Sequence, residues 1–174
     1  MVALGTVVSL FDSMRNLARC RSGSVGTEMI VAFGPLTLMF FSVWQESLLC
    51  TGQALTEHAA IAAARSASVV LPDDPARYGG SAANTASPQR VAAVRQAAVR
   101  AMAPLVFDET IENVEVSIPA GQLQPGSDVK VKVTATFRCA LPLVKVILCS
   151  TNGTTPLVAE ATLPAQSARY QYGN

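Results

Sequence analysis

The chain has 174 residues, of which 50% are hydrophobic and 14% are charged, and its formal net charge is +1. Such an apolar and sparsely charged composition is unusual for a soluble domain and predicts one small domain together with a membrane element. The nearly neutral charge and the lack of a nucleic-acid-binding motif argue against nucleic acid as a partner.

The first part of the chain combines a basic segment, one acidic residue and the only long apolar stretch. Arg15, Arg19 and Arg21 precede residues 29–44, and Glu28 stands directly in front of that stretch. Basic residues on one side of a span hold that side in the cytoplasm, so the chain beyond the span is expected outside. A carboxylate at the edge of hydrocarbon costs about 2–3 kcal/mol, which suggests a function for Glu28; an interfacial side chain that reaches the lipid headgroups is the alternative.

One long helix is predicted over residues 24–70. Its first part, residues 29–50, has about 22 residues and is therefore long enough to cross ~30 Å of hydrocarbon. Gly34 and Pro35 interrupt this span, and because proline removes one backbone hydrogen bond they predict a kink or a locally melted turn. The outer membrane interface is expected at Trp44, Gln45 and Glu46. Past Cys50, one face is dominated by small residues and includes Leu55, Ala59, Ala62, Ala63 and Ser66.

The long helix is expected to end at the proline-containing segment 71–75, and residues 72–87 are expected to form a surface loop. Ser87 and Pro88 then predict the start of a second helix, which Pro104 ends. Its apolar positions recur at helical spacing and are Val91, Val94, Ala98 and Met102. Its basic positions are expected on other faces and are Arg90, Arg95 and Arg100.

The remaining residues are predicted to form three strands that share one apolar face. Apolar and polar residues alternate over 113–118 and 129–138, and a third strand is expected over 157–163. A long hairpin loop over 119–128 joins the first two strands. The expected cross-strand partners of Lys130 or Lys132 are two acids of the first strand, Glu112 and Glu115.

These elements predict an α+β fold, in which a long N-terminal transmembrane α-helix precedes a small periplasmic domain of one helix packed on a three-stranded antiparallel sheet. Residues 1–23 are then a cytoplasmic leader, residues 24–71 the transmembrane and stalk helix, and residues 72–174 the small extracytoplasmic domain. Met14, which a short basic segment follows, is a second candidate start of translation.

Cys139 and Cys149 flank an apolar segment just after the clearest predicted strand. In an oxidising compartment they are expected to form a disulfide that closes a small loop, with a contribution of about 2–3 kcal/mol. A zinc site is an alternative, although CxxC spacing is missing and His58 is the only histidine; free buried thiols are another. The enclosed segment, residues 141–148, is expected to complete the core, or else to dock on the membrane or a partner.

Signals for catalysis are missing from the sequence. It contains no glycine-rich phosphate loop, HExxH or GxSxG motif, and His58 lies among alanines without a nucleophile in a catalytic setting. No catalytic residue, metal site or cofactor is therefore predicted, and the protein is not expected to be an enzyme.

Several of these features together resemble the TadE family of minor pseudopilins from tight-adherence pilus systems. They are residues 21–28, Pro35, residues 44–46 and the alanine-rich residues 53–65, and parts of residues 131–143 and 160–170 are similar to longer members. More generally, a basic leader, Gly23, an acid at the fifth position after it and a membrane helix resemble the class III signal of type IV pilins.

The resemblance implies that a prepilin-type peptidase cuts between Gly23 and Ser24 and that Ser24 becomes a free, often methylated amino terminus. In an assembled bundle, Glu28 would pair with the ammonium group of a neighbouring subunit, which would neutralise both buried charges. The implied partners are the peptidase, other pilins or pseudopilins, the inner-membrane assembly platform and the lipid bilayer. The implied location is the bacterial inner membrane, with a single pass, a cytoplasmic N-terminus and a periplasmic domain, and with incorporation into a pilus as a further option.

Two other functions remain open at this point. The first is a signal-anchored periplasmic binding or sensor domain that is not processed and uses the long helix as a stalk. The second is a membrane-tethered enzyme, which would need a cleft with converging titratable groups. A cleaved secretory peptide fits less well, because the apolar stretch is long and lacks a small-x-small cleavage site at its far end.

Overall fold

The computed structural model describes residues 22–119, 127–141, 149 and 152–165. The elements in chain order are α1 (Ser22–Val70), a 3₁₀ helix (Pro75–Tyr78), α2 (Pro88–Ala101), α3 (Ala103–Phe107), β1 (Ile111–Ser117), β2 (Asp128–Arg138) and β3 (Thr154–Pro164). The predicted α+β fold is confirmed, because a long apolar N-terminal helix is joined to a small domain with a helix and a three-stranded antiparallel sheet.

The chain divides into two compact units within α1. The first unit ends at Val43, and the second begins at Trp44 and contains the sheet. The second half of α1 therefore belongs to the second, folded unit, which is called the outer unit below after its predicted location.

In the sheet, β2 lies between β1 and β3 and pairs antiparallel with both. Every second residue of β2 from Val129 to Phe137 is buried, and the residues between them are exposed or half-buried. This strict alternation of apolar and polar residues favours a strand with one face on a core. The three predicted strands are confirmed, and residues 120–126 of the predicted hairpin loop lie outside the described residues.

Lys130 pairs with an acid of β3 rather than β1. Its Nζ lies 2.8 Å from Oε2 of Glu160, and its hydrogen bond and charge hold the pKa of Glu160 below the ordinary value. The register places Lys132 opposite Ser117 of β1. The prediction that Lys130 faces the acids of β1 is wrong, because a pattern of alternation gives the face of each residue and not its partner on the next strand.

The second half of α1 presents small side chains to the core of the domain. Its fully buried alanines recur at helical spacing and are Ala59, Ala60, Ala63, Ala64 and Ala67. Ala62 and Ser66, which were predicted on this face, are only half-buried, so the observed face is turned toward Ala60 and Ala64. Alanine covers little area, but it lets a helix lie very close to its neighbours.

Gly52 marks the point of closest approach between α1 and the sheet. A Cβ atom added at Gly52 would come within 2.9 Å of Leu157 Cδ1 and 3.0 Å of Phe137 Cδ2. Both of these side chains are buried, so neither has free space into which it can move. Glycine is therefore favoured at this position, because any larger residue would have to displace a buried side chain.

Arg90 of α2 is completely buried at the C-terminal end of α1. Its two terminal nitrogens donate hydrogen bonds to four backbone carbonyls, those of Val70, Leu71, Asp73 and Ser81. The guanidinium carbon also lies 4.5 Å from the centre of the Tyr78 ring. The last carbonyls of a helix have no partner within it and carry partial negative charge. The guanidinium supplies both hydrogen-bond donors and a positive charge at the end of α1.

The burial of Arg90 corrects the prediction that the arginines of α2 lie on other faces than the core. Arg90 precedes Val94 by four residues and Ala98 by eight, and both of those residues are buried. Residues at this spacing share one face of a helix, so the position was readable from the sequence. The charge of Arg90 favoured an exposed position. The carbonyl groups that outweigh this preference come from a loop whose path cannot be derived from the sequence.

The ends of α2 agree with the sequence. Ser87 is the N-cap, and its hydroxyl oxygen accepts a hydrogen bond of 3.4 Å from the backbone N–H of Arg90. The helix ends at Ala101, whereas Pro104 lies in the first turn of α3. The predicted end of α2 before Pro104 is confirmed, since Met102 is the C-cap and Pro104 follows it by two residues. Pro104 is also well suited to the first turn of α3, where the N–H groups have no partner in the helix.

Cys139 and Cys149 form the predicted disulfide directly after β2. The backbone N–H of Cys139 also donates a hydrogen bond of 2.9 Å to the carbonyl of Gly153, just before β3 begins. The two cysteines are thus bound to each other and do not serve as zinc ligands. Of residues 141–148, whose role the sequence left open, only Leu141 lies within the described residues.

We expect Gly52→Ala to lower the free energy of unfolding of the outer unit by about 1–3 kcal/mol, since the overpacking exceeds the gain in helix propensity. Amide hydrogen exchange in β2 of the full chain in detergent measures this change. Gly34→Ala is the matched control, because no heavy atom lies within 4 Å of its added Cβ. Equal exchange rates in the two variants would contradict the close approach.

We expect Arg90→Met to destabilise the domain by about 3–5 kcal/mol, because four carbonyl groups lose a charged donor at once. Arg90→Lys should recover only part of this loss, since one ammonium group cannot reproduce the planar fork of donors. Arg100→Met changes an exposed arginine of the same helix and should alter stability by less than about 0.5 kcal/mol. The measurement is the denaturant midpoint of each variant.

Candidate functional site

The first unit consists, in its described part, of residues 22–43 of α1 and carries a continuous apolar surface. Its large apolar side chains that are at least 60% exposed are Val25, Met29, Ile30, Val31, Phe33, Leu36, Met39, Phe40 and Val43. Burying each such side chain is worth about 1.5–3 kcal/mol, so a surface of this size requires an apolar environment or apolar partners. A core helix of a soluble protein would have this surface covered.

Among the described residues, α1 is the one helix that is long and apolar enough to cross a membrane. None of the residues in its most apolar part is buried. Length, composition and exposure are therefore compatible with a single-pass membrane anchor.

The predicted processing site lies at the start of this helix. The backbone of Gly23 and Ser24 belongs to the first turn of α1, which begins at Ser22. The side chain of Glu28, one turn beyond Ser24, is exposed.

Pro35 lies inside α1, and the helix continues through it. Because proline has no N–H, the carbonyl of Val31 lacks the hydrogen bond that residue 35 would normally donate. The melted turn that Gly34 and Pro35 suggested is thus not present, and the kink stays a prediction. Two hydroxyl groups of the span are satisfied within the helix, since Thr37 and Ser42 donate hydrogen bonds of 2.8 Å to carbonyls one turn earlier.

The outer end of the predicted span differs from the expectation. Gln45 is completely buried in the outer unit, where its Oε1 accepts a hydrogen bond of 3.4 Å from the backbone N–H of Leu141. Leu48 and Leu49 pack against the domain core. The residues free to contact lipid are therefore 25–43, which as a helix extend over about 28 Å and match the hydrocarbon thickness. Gln45 is thus packed within the domain, and its position at the membrane interface stays a prediction.

A polar cleft of about 450 Å³ lies beside the disulfide at the end of the sheet. Its walls include Asp108, Glu109, Glu112, Arg138 and Asn152. Arg138 Nη1 lies 3.9 Å from Glu109 Oε2, and both side chains are exposed, so this ion pair contributes little to stability. The cleft thus offers charged groups to solvent but does not bury them.

The carboxylate of Asp108, in this cleft, accepts hydrogen bonds from Thr110. Hydrogen bonds from the hydroxyl and then the backbone N–H of Thr110 hold the pKa of Asp108 below the ordinary value. Asp108 is therefore ionised at neutral pH and cannot act there as a general acid. Its carboxylate instead fixes the turn between α3 and β1.

The other sequence candidates for chemistry lie apart from one another. His58 and Cys50 are both exposed on α1, and Cys50 is a free thiol. Within the described ranges, no group of three or more histidine, cysteine, aspartate or glutamate side chains is arranged to hold a metal ion.

Sequence reasoning missed three side chains that are prominent in the structure. Gln45 was expected at the interface, Arg90 was expected on the surface, and Phe107 at the end of α3 was not considered. Helical spacing could have identified Arg90, as described above. The sequence carries no comparable signal for Phe107, because a single aromatic residue in a short helix has no periodic pattern around it.

Comparison of the chain with protein-family models, with curated proteins and with solved structures found no match. Two surfaces are therefore candidates for function. They are the exposed apolar half of α1, which has Glu28 near its N-terminal end, and the polar cleft beside the disulfide.

We expect Asp108→Asn to destabilise the domain slightly at neutral pH and not at all in strong acid. The folded state lowers the pKa of Asp108, so its contribution exists above the unfolded pKa of about 3.9 and is lost as the pH falls through the lower folded pKa. Denaturant midpoints at pH 7 and pH 2 measure the difference. Asn keeps an oxygen that accepts the Thr110 N–H, and Glu112→Gln, another exposed acid of the cleft, is the control.

Proposed function

We propose that this protein is a minor pseudopilin that is processed by a prepilin-type peptidase and assembles through α1 into a tight-adherence pilus or a related secretion machine. The observation that carries this proposal is the position of Glu28, an exposed carboxylate at the head of an exposed apolar helix and one turn beyond Ser24. The protein would have a structural role in this assembly and no enzymatic one.

The order of charges along the chain supports a cytoplasmic leader. Three arginines precede Gly23, whereas the span over residues 25–43 contains Glu28 as its single charged residue. Positive charge on one flank retains that flank in the cytoplasm, so the folded unit from Trp44 onward would face the periplasm. The disulfide between Cys139 and Cys149 agrees with that oxidising compartment.

The helical geometry gives Glu28 a task after cleavage. A cut after Gly23 would place a new ammonium group on Ser24, about 6 Å along the helix axis from Glu28. A positive charge at the N-terminal end of a helix is opposed by the macrodipole, and a carboxylate one turn later offsets this. In hydrocarbon an ammonium group would be stabilised most by a carboxylate within hydrogen-bond reach, which Glu28 of a neighbouring subunit can supply.

A second candidate function is an unprocessed, signal-anchored binding or sensor domain in the periplasm. The polar cleft of about 450 Å³ beside the disulfide favours it, since its size is within the range of small-ligand sites. Under this function, Glu28 would have no role in assembly.

Co-expression with a prepilin-type peptidase tests the processing step. We expect the mature protein to begin at Ser24, as measured by intact mass and N-terminal sequencing, and we expect Gly23→Leu to block the cut. A full-length chain that still carries its arginine-containing leader under these conditions would exclude the proposal.

Substitution of Glu28 tests the assembly step. We expect Glu28→Ala to be inserted into the membrane and to lose at least about tenfold in co-purification with partner pilins, since a buried charge loses its partner. Glu46→Ala removes an exposed acid of the same helix and should leave co-purification unchanged. Equal recovery of both variants would favour the sensor function.

A further inference from the structure

Phe107 is the most exposed large apolar side chain among the described residues, with 92% of its surface accessible. It ends α3, and Ala103 and Pro104, which precede it by four and three residues, are exposed as well. Leu105 and Val106 of the same short helix pack against the core and hold α3 in place. Phe107 is thus a fixed apolar knob, and aromatic side chains of this kind are common anchors of protein contacts.

The surroundings of Phe107 are acidic. Asp108 and Glu109 follow it directly, and the Glu109 side chain is 83% exposed, with Arg138 Nη1 at 3.9 Å as the one basic group beside the two acids among the described residues. Hydrogen bonds from Thr110 hold Asp108 in place. Negative charge on both residues disfavours a surface of anionic lipids, whereas it favours a protein pocket with a basic border.

Such a pocket is present on the solvent side of α2. A groove of about 600 Å³ is lined by Ala92, Ala93, Arg95, Gln96 and Val99, on the side of the helix away from the buried residues. Its lining consists mainly of small or apolar side chains and polar groups at the edge. Because all five lining residues belong to one helix, the groove is shallow and open to solvent, and a phenyl ring would lie on these side chains.

The border of this groove is basic. Arg95 donates hydrogen bonds to the Val114 carbonyl at 2.6 Å and to Asn113 Oδ1 at 3.3 Å, both of which are uncharged groups. Arg100 follows Gln96 by one helical turn, is exposed, and forms no ion pair with the described residues. The border of the groove is therefore positively charged, and this charge is opposite to that of the acids beside Phe107.

We propose that the Phe107 side chain of one copy of this chain inserts into the α2 groove of a second copy, with Glu109 facing Arg95 and Arg100. The occupant follows from charge complementarity between the two surfaces, both of which every copy carries. This contact joins outer domains and goes beyond the helix contact of the proposed pseudopilin, on which it does not depend.

A photo-crosslinking experiment on the full chain in membranes tests this contact. p-Benzoylphenylalanine replaces Phe107 in unlabelled protein, which is mixed with ¹⁵N-labelled protein that keeps Phe107. We expect crosslinks from the unlabelled copy to labelled peptides within residues 91–100. The same probe in place of Val158, another exposed apolar residue of the outer unit, should give no crosslink to these peptides.

Two variants of the labelled copy make the test specific. Ala92→Trp fills the groove from an exposed helical position and should lower the crosslink yield at least about tenfold. Arg100→Glu should lower it about two- to fivefold, and Glu109→Arg in the probe-bearing copy should restore it. Crosslinks only to lipid, to another protein or within one copy would overturn the proposal, as would a yield that neither variant changes.

The experiments distinguish failure of this contact from failure of the proposed function. A chain that keeps its leader and still gives the crosslink would refute pilin-type processing and retain the contact between outer domains. A processed chain that begins at Ser24 without this crosslink would do the reverse.

Discussion

The close approach of α1 to the sheet at Gly52 is the constraint on which the rest of the outer domain depends. With Leu157 and Phe137 within about 3 Å of an added Cβ, a larger residue fits there only if these buried side chains move. The same closeness explains the alanines at positions 59, 60, 63, 64 and 67, which are all buried. The helix gains contacts by proximity, but alanines bury little apolar area, so the sheet residues must supply most of the hydrophobic free energy.

A helix with such a smooth face has little to fix its position along its own axis, and Arg90 meets that need. Its guanidinium binds carbonyl groups at the end of α1 and in the loop that follows, so it joins α2, α1 and the loop at one point. Burial of a charge is expensive, but the hydrogen bonds and the negative end of a long helix offset it. Directional bonds from Arg90 at one end of this helix half, and the Gln45 bond to Leu141 at the other, thus help to specify the position of α1 that its alanines leave open.

The sequence predicted the elements well and their contacts poorly. Period-two alternation over residues 129–138 and the caps at Ser87 and Pro88 are local signals, and both are confirmed. The partners of Lys130, Arg90 and Gln45 depend on which distant backbone comes near, and all three differ from the expectation. For the candidate site, the apolar span and Glu28 were readable from order and composition, whereas the groove on α2 and the knob at Phe107 arise only from the fold.

One of the two proposed contacts would form in lipid and the other in water. Different interactions would therefore stabilise them. Between helices in lipid there is no hydrophobic gain, because the acyl chains are as apolar as the side chains they replace. Association there would rely on close packing and on a charge pair such as the one proposed for Glu28, which would be little screened by salt at low dielectric. In water the reverse holds: an exposed ring such as Phe107 gains free energy by burial, whereas charges around it are screened. A subunit that has to leave the bilayer during assembly would need both, since the first contact sets register and the second retains its strength in water.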